Sequence, residues 1–170
     1  MPGIEIPIVG GTPKPSWIKV SYIGVYDYNK VYRNIVNWFK KNHYFFNEKN
    51  HIEIVKSTGK EHIITFKGIR DADDYVRYGV DIEIWTLRTN SIKGEKNFVK
   101  GEIQLKFKGT MELDYKNTFG RYGKIGNVLR SIYHKYLIKR RIWTKYAPRI
   151  YIETNDLITN VKNNLGLITP

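Results

Sequence analysis

The chain has 170 residues and a mass of 20.1 kDa, room for one domain and enough length to bury a core of its own. Its 41% hydrophobic and 14% aromatic residues exclude a disordered polymer, and the absence of cysteine excludes disulfides, thiolate nucleophiles and Cys-ligated zinc. Twenty-nine Lys and Arg stand against sixteen Asp and Glu, a net charge of +13 that points to nucleic acid or another polyanion as a partner.

Part of that charge has a second source. The chain holds 23 Ile, 20 Lys, 14 Asn and 13 Tyr but two Ala, Ala72 and Ala147. AT-rich codons favour this set, so a low-GC genome supplies some of the lysine without any function. No apolar run reaches the ~18 residues of a membrane span, and the N-terminus lacks the basic and apolar regions of a signal peptide. The expected location is intracellular or in a virion, with no secretion by a signal peptide.

Residues 1–16 carry four of the six prolines and three glycines, and read as an extended N-terminal arm outside the core. Ile4, Ile6, Ile8 and Val9 are too apolar for a solvated tail, so the arm should lie on a surface, of this domain or of a neighbour. Residues 17–170 read as a single α+β domain. Residues 17–26, rich in β-branched and aromatic side chains, read as a strand. Asp27 is placed to cap a helix with Tyr28, Val31, Tyr32, Ile35, Trp38 and Phe39 on one stripe. Residues 51–55 and 61–67 form a hairpin around Ser57, Thr58 and Gly59. Residues 68–74 are expected as a loop and 75–88 as a strand, with Val80, Ile82 and Ile84 on one face and Asp81 and Glu83 on the other.

The cleanest pattern spans residues 99–115. Every odd position is apolar, aromatic or glycine, while Lys100 to Asp114 at the even positions are polar. Period two means a half-buried antiparallel strand with one packed and one wet face. At ~3.3 Å per residue such a strand overruns the usual length, so it should bend or break, with Gly101 and Gly109 as the bends. After a glycine-rich loop over 119–126, Asn127 should cap a helix that turns Leu129, Ile132, Tyr133, Tyr136 and Trp143 to the core. Ala147-Pro148 should end or kink it. A last helix buries Ile150, Leu157, Ile158, Val161 and Leu165 and stops at Gly166. The expected fold is α+β: a bent antiparallel sheet of about five or six strands packed against a helix, with two C-terminal helices.

Ten basic residues and no acid lie between residues 115 and 152: Lys116, Arg121, Lys124, Arg130, Lys135, Lys139, Arg140, Arg141, Lys145 and Arg149. Tyr122, Tyr133, Tyr136, Trp143 and Tyr146 are interleaved. Phosphate backbones need cations and unpaired bases stack on aromatics, so the window suits nucleic acid. A solvated helix face with core aromatics, neutralised by an acidic neighbour, explains it as well. Gly120, Gly123 and Gly126 open onto this helix beside Arg121 and Lys124, where free amides would suit a phosphate, but the spacing matches no phosphate-loop or dinucleotide fingerprint.

Asp71, Asp73 and Asp74 cluster without calcium-loop spacing, and turn formation with Arg70 or Arg77 as ion partners accounts for them. His43, His51, His62 and His134 are scattered, without a pair at ligand spacing, and sheet edges and helix ends account for all four. Asp81, Glu83, Lys106, Lys108 and Glu112 read as cross-strand ion pairs. No catalytic constellation, metal site or cofactor is expected.

The order of elements resembles, loosely, the helix-grip domains, which hold apolar ligands between helix and bent sheet. That likeness would place Tyr28, Tyr32 and Trp38 in a pocket, although the arm and the added C-terminal helix depart from it. The segments Tyr26-Asp27-Tyr28 through Trp38-Phe39, Asp74-Tyr75-Val76-Arg77-Tyr78 and Leu113-Asp114-Tyr115 are similar to uncharacterised small archaeal and viral proteins. This resemblance implies no catalytic residue and no ligand; it implies a viral or small-genome source. Three functions follow as expectations. The first is a non-enzymatic assembly subunit, in its concrete form a virion component. It would dock protein partners or copies of itself through the arm and the basic helical face. The second is nucleic-acid binding by residues 116–149, and the third is a helix-grip ligand-binding domain.

Overall fold

The computed structural model describes residues 4–9, 12–13, 17–57, 59–92, 97–119 and 122–167. Seven strands form one antiparallel sheet: β1 (Ile4–Val9), β2 (Thr12–Pro13), β3 (Ile18–Asp27), β4 (Phe45–Lys56), β5 (Gly59–Asp71), β6 (Val76–Ser91) and β7 (Phe98–Leu113). The body of the sheet runs β3-β7-β6-β5-β4, and the α+β class holds. Helix α1 (Tyr28–Lys41) follows β3, and a helical run after β7 ends in α4 (Ala147–Asn164).

The period-two pattern is realised on β6 and β7. Val76, Tyr78, Val80, Ile82 and Ile84 of β6 are buried, as are Ile103, Leu105, Phe107, Met111 and Leu113 of β7. Their polar neighbours face outward, where Lys106 Nζ donates to Glu83 Oε2 at 3.1 Å. The long strand does not break. Gly101 sits opposite the irregularity between Leu87 and Asn90, and a Cβ on it would lie 2.9 Å from the Thr89 backbone. At Gly109 a Cβ would meet Thr154 Oγ1 of α4 at 2.6 Å, so this glycine lets α4 approach the sheet.

Two boundaries differ from expectation. β5 continues to Asp71 instead of ending in a loop at residue 68, because Gly68 is a close-approach point: a Cβ there would fall 2.3 Å from the Phe39 ring. β7 ends at Leu113, where Asp114 takes a left-handed conformation (φ 56°).

The described residues of the arm, 4–9 and 12–13, are extended as expected, but they are a part of the sheet and not a segment outside it. β1 pairs with residues 109–113 of β7 and β3 with residues 98–107, so the two lie end to end along one edge of β7. β2 folds back on β1. The physical reason is the length of β7: β3 covers ten of its sixteen residues, and the rest would show unpaired backbone groups to water. Ile6 is half-buried against the core; the side chains of Ile4, Ile8 and Val9 lie outside those described.

Asp27 caps α1, its Oδ1 accepting from the Lys30 amide at 2.9 Å, and Val31, Ile35, Trp38 and Phe39 are buried. Phe39 stacks on Phe46 at 5.1 Å between ring centres and tilts against Phe66, so side chains fill the space between helix and sheet. The three aromatics of the expected pocket are engaged elsewhere. Tyr28 stacks on His62, Tyr32 donates to Glu48 at 2.8 Å, and Trp38 Nε1 donates to Asp156 of α4 at 2.9 Å. Helix α4 buries Ile150, Leu157, Ile158 and Val161 and ends in a Schellman turn. There Gly166 (φ 68°) donates to Asn163 O, and Leu167 to Lys162 O.

Candidate functional site

The segment that leads into α4 is one helical run with two wide turns. It consists of α2 (Gly123–Ile132), a π-helical turn (Tyr133–Ile138), α3 (Lys139–Arg141), a second π-turn (Ile142–Tyr146) and α4. The residues at each junction, Tyr133, Ile138, Ile142 and Ala147, are all right-handed helical, so Ala147-Pro148 does not end the helix. Pro148 lies at the first turn of α4, directly after the second π-turn, where its missing amide removes no regular α-bond. The start also differs: Tyr122 and not Asn127 precedes the first turn, and Asn127 is an exposed residue inside α2.

Two anchors hold this run to the sheet. Ile138, Ile142 and Tyr146, at four-residue spacing, are buried. Tyr146 donates a short hydrogen bond to Asp73 Oδ2, and Asp73 Oδ1 accepts from the amides of Tyr75 and Val76 at 2.8 and 2.7 Å. Burial works against ionisation of Asp73, but these hydrogen bonds outweigh it and hold its carboxyl below the usual range. The same bond, with burial second, pushes the Tyr146 phenol up to about 12. The rest of the aspartate cluster is also paired within the fold, Asp71 with Arg77 at 2.6 Å and Asp74 with Lys116 at 2.5 Å. Arg70 reaches Glu153 instead of an aspartate.

The second anchor lies under α2. Asp114, fully buried, meets Arg130 Nη2 at 2.6 Å and accepts from the Thr118 amide at 2.7 Å. Beside it, Tyr75 makes a short hydrogen bond with His134 Nε2. Burial, then the nearby Asp114 carboxylate, pushes the Tyr75 phenol far above its ordinary range. Burial and then Arg130 push the His134 imidazole down. His134 is therefore a half-buried partner in mid-helix and not a helix-end residue, and His62 lies on an inner strand.

These anchors divide the basic window. Lys116, Arg130 and Arg149 are engaged within the fold, with Asp74, Asp114 and Glu153 respectively. The expectation that Arg130 contacts a phosphate backbone is corrected: only 11% of its side chain is exposed, against a carboxylate with none. Arg121 lies outside the described residues, as does the side chain of Lys124. Lys135, Lys139, Arg140, Arg141 and Lys145 remain. All five are exposed and none forms an ion pair among the described residues. Lys135 lies 5.4 Å from the Tyr136 ring and Lys145 5.3 Å from the Tyr146 ring.

The aromatics and aliphatics of this region also depart from expectation. Leu129, Ile132, Tyr136 and Trp143 do not face the core; Tyr136 is 70% and Ile132 48% exposed, and Ile125 and Val128 join them on the surface. Periodicity reports that a face is apolar, not that the fold covers it. Here the anchors sit under residues 130–134 and 138–146, and α2 presents its other side to solvent.

A hollow of about 390 Å³ opens beside the first π-turn, lined by Arg130, Ser131, His134, Lys135 and Lys139. A second, of about 450 Å³, lies between α1 and α4 among Asn34, Asn37, Trp38, Lys41, Asn160, Asn163 and Asn164. Comparison with protein-family models, with curated proteins and with solved structures gave no match to this chain.

Proposed function

We propose that this chain is a non-catalytic binding protein that holds single-stranded nucleic acid along the helical face from Lys135 to Lys145. The observation that carries the reading is the set Lys135, Lys139, Arg140, Arg141 and Lys145, exposed and without ion-pair partners among the described residues, with Tyr136 and Trp143 exposed between them. Cations that an intramolecular acid would neutralise give little to a polyanion; these five release counterions when phosphates arrive. The exposed rings offer stacking that is worth about 1–3 kcal/mol per base and tolerates any sequence. Fluorescence anisotropy with a labelled single-stranded oligonucleotide at low salt tests it. Binding that weakens steeply with salt supports the reading, and absence of binding to both DNA and RNA sinks it.

A second reading has its own observation. Ile125, Leu129 and Ile132 of α2 and Tyr136 of the π-turn after it recur at four- and three-residue spacing and are exposed, the seam of a helix made to pair. No acid lies between residues 115 and 152, so a second copy of this helix would bring like charge to like. An assembly role, in a virion or another particle, therefore calls for an acid-flanked helix on the partner. The arm supports such a role less than the helix does, because its backbone is engaged by β7 of its own chain.

A further inference from the structure

We propose that the hollow beside the first π-turn is a site for a phosphate monoester dianion and that, on a nucleic-acid strand, it takes the 5′-terminal phosphate. This rests on the nucleic-acid reading for the source of the phosphate, but the site is argued from its own geometry. In an uninterrupted α-helix the nine residues from Arg130 to Lys139 make about 2.5 turns, which puts the two on opposite sides. The π-turn holds more residues per turn, so each of its residues rotates the chain through a smaller angle, and the lost rotation brings Lys139 round toward the side of Arg130. Both line the same hollow, with Lys135 and His134 between them. The wide turn is what converts a basic helix into a concave basic site.

The charge count inside the hollow selects the ligand. Among the described residues the lining contains no acid. Arg130 is balanced by Asp114, so the uncompensated charges are the two ammonium groups of Lys135 and Lys139. Two positive charges match the dianion of a terminal phosphate, whereas an internal diester carries one negative charge. The neutral donors agree. Tyr75 is a buried phenol whose one acceptor among the described residues is His134 Nε2, so its O–H donates there and the ring proton sits on Nδ1. His134 Nδ1–H and the Ser131 hydroxyl then join the two lysines as donors to a group with three terminal oxygens. Tyr136, one residue further and largely exposed, is placed for the terminal base, which alone in a strand has an unstacked face.

The test uses the full chain and two 3′-labelled single-stranded decamers, identical except for a 5′-phosphate or a 5′-hydroxyl, read by anisotropy, with a nucleoside 5′-monophosphate and its nucleoside as free competitors. The expected result is about tenfold tighter binding of the phosphorylated strand, the size of one charge-assisted hydrogen bond. The Lys135→Gln/Lys139→Gln double variant, altered at two exposed positions, should lose that preference; because both lysines also belong to the basic face, it should bind the two strands alike and both more weakly than the parent does. Equal, salt-dependent binding of both strands would overturn end recognition and leave the nucleic-acid reading standing. Binding of the monophosphate measured directly by calorimetry, with no binding of either strand, would keep the phosphate site but overturn the strand as its source. No binding by any of the four probes would sink both.

Discussion

Arg70 Nη2 lies 2.8 Å from both carboxylate oxygens of Glu153, and this contact ties strand β5 to helix α4 across the layer boundary. The pair is largely buried, with 16% and 14% of the two side chains exposed. Its remaining valences are used: Arg70 Nη1 donates to Asn42 O at 2.8 Å, and Tyr44 O–H donates to Glu153 Oε2 at 2.7 Å. Removing one partner leaves the other charge stranded. Glu153→Gln should cost about 3 kcal/mol in urea unfolding, whereas the double change Arg70→Met/Glu153→Leu should recover most of it. An unchanged midpoint for Glu153→Gln would show that the pair does not secure α4.

Close approach of backbone to side chain is the second support of this interface. A Cβ at Gly68 would fall 2.3 Å from the Phe39 ring, which is itself wedged between Phe46 and Phe66. Gly68→Ala should therefore lower stability by about 1–3 kcal/mol, as overpacking does in a filled core. A variant that melts with the parent would mean that α1 sits further from β5 than described.

Much of this was legible in the residues. The alternation from Val99 to Leu113 announced a strand with one buried face, and Asp27 announced the cap of α1, because both signals are local and backbone-driven. Glycines misled where their reason was tertiary: Gly68 looks like a loop until Phe39 is placed over it. The basic window is visible as composition, but its division into engaged and exposed cations is not, because Asp114 and Asp74 are distant partners of Arg130 and Lys116; the pair of Arg149 with Glu153, four residues on, is the local exception. No sequence signal marked the two π-turns, since a wide turn uses the same right-handed backbone as its α-helical neighbours. Spacing places Tyr136 and Trp143 in the core for the same reason that it places Leu157 and Val161 there, and the second pair alone is buried.

The place of β1 in the sheet yields a prediction about the N-terminus. Deleting residues 1–13 would uncover the β7 edge from Gly109 to Leu113 and remove the half-buried Ile6 from the core. A loss of about 2–4 kcal/mol is expected for several ladder bonds of roughly 1 kcal/mol each, with aggregation through the bared edge. If the truncated chain keeps its thermal midpoint and gains no tendency to associate, β1 is not a structural strand.

Stability should fall on mild acidification. Burial lowers the affinity of His62 and His134 for a proton below that of the unfolded chain, whose imidazoles titrate near the ordinary value of about 6.5. A depressed folded-state value means that the unfolded chain binds more protons between the two values, so stability is full above about 6.5 and is lost as pH falls from there through the depressed folded-state value. Thermal midpoints should therefore drop from pH 7 to pH 5, and His134→Gln, which keeps a polar partner for Tyr75, should flatten the slope. A variant with the parent slope would show that His134 is as well solvated folded as unfolded.

Salt dependence gives the most direct measure of the basic face. For single strands the logarithm of the binding constant falls with that of salt by about 0.7 per phosphate neutralised. Lys135, Lys139, Arg140, Arg141 and Lys145 acting together would give a slope of about −3.5 on that rule, and Arg140→Ala/Arg141→Ala would reduce it to about −2. The two arginines are exposed, so the variant should fold as the parent does. Lys116→Ala removes the ion pair with Asp74 and should leave the slope as it is. A slope that responds equally to Lys116 and to the arginine pair would mean that net charge, and not this helical face, attracts the strand.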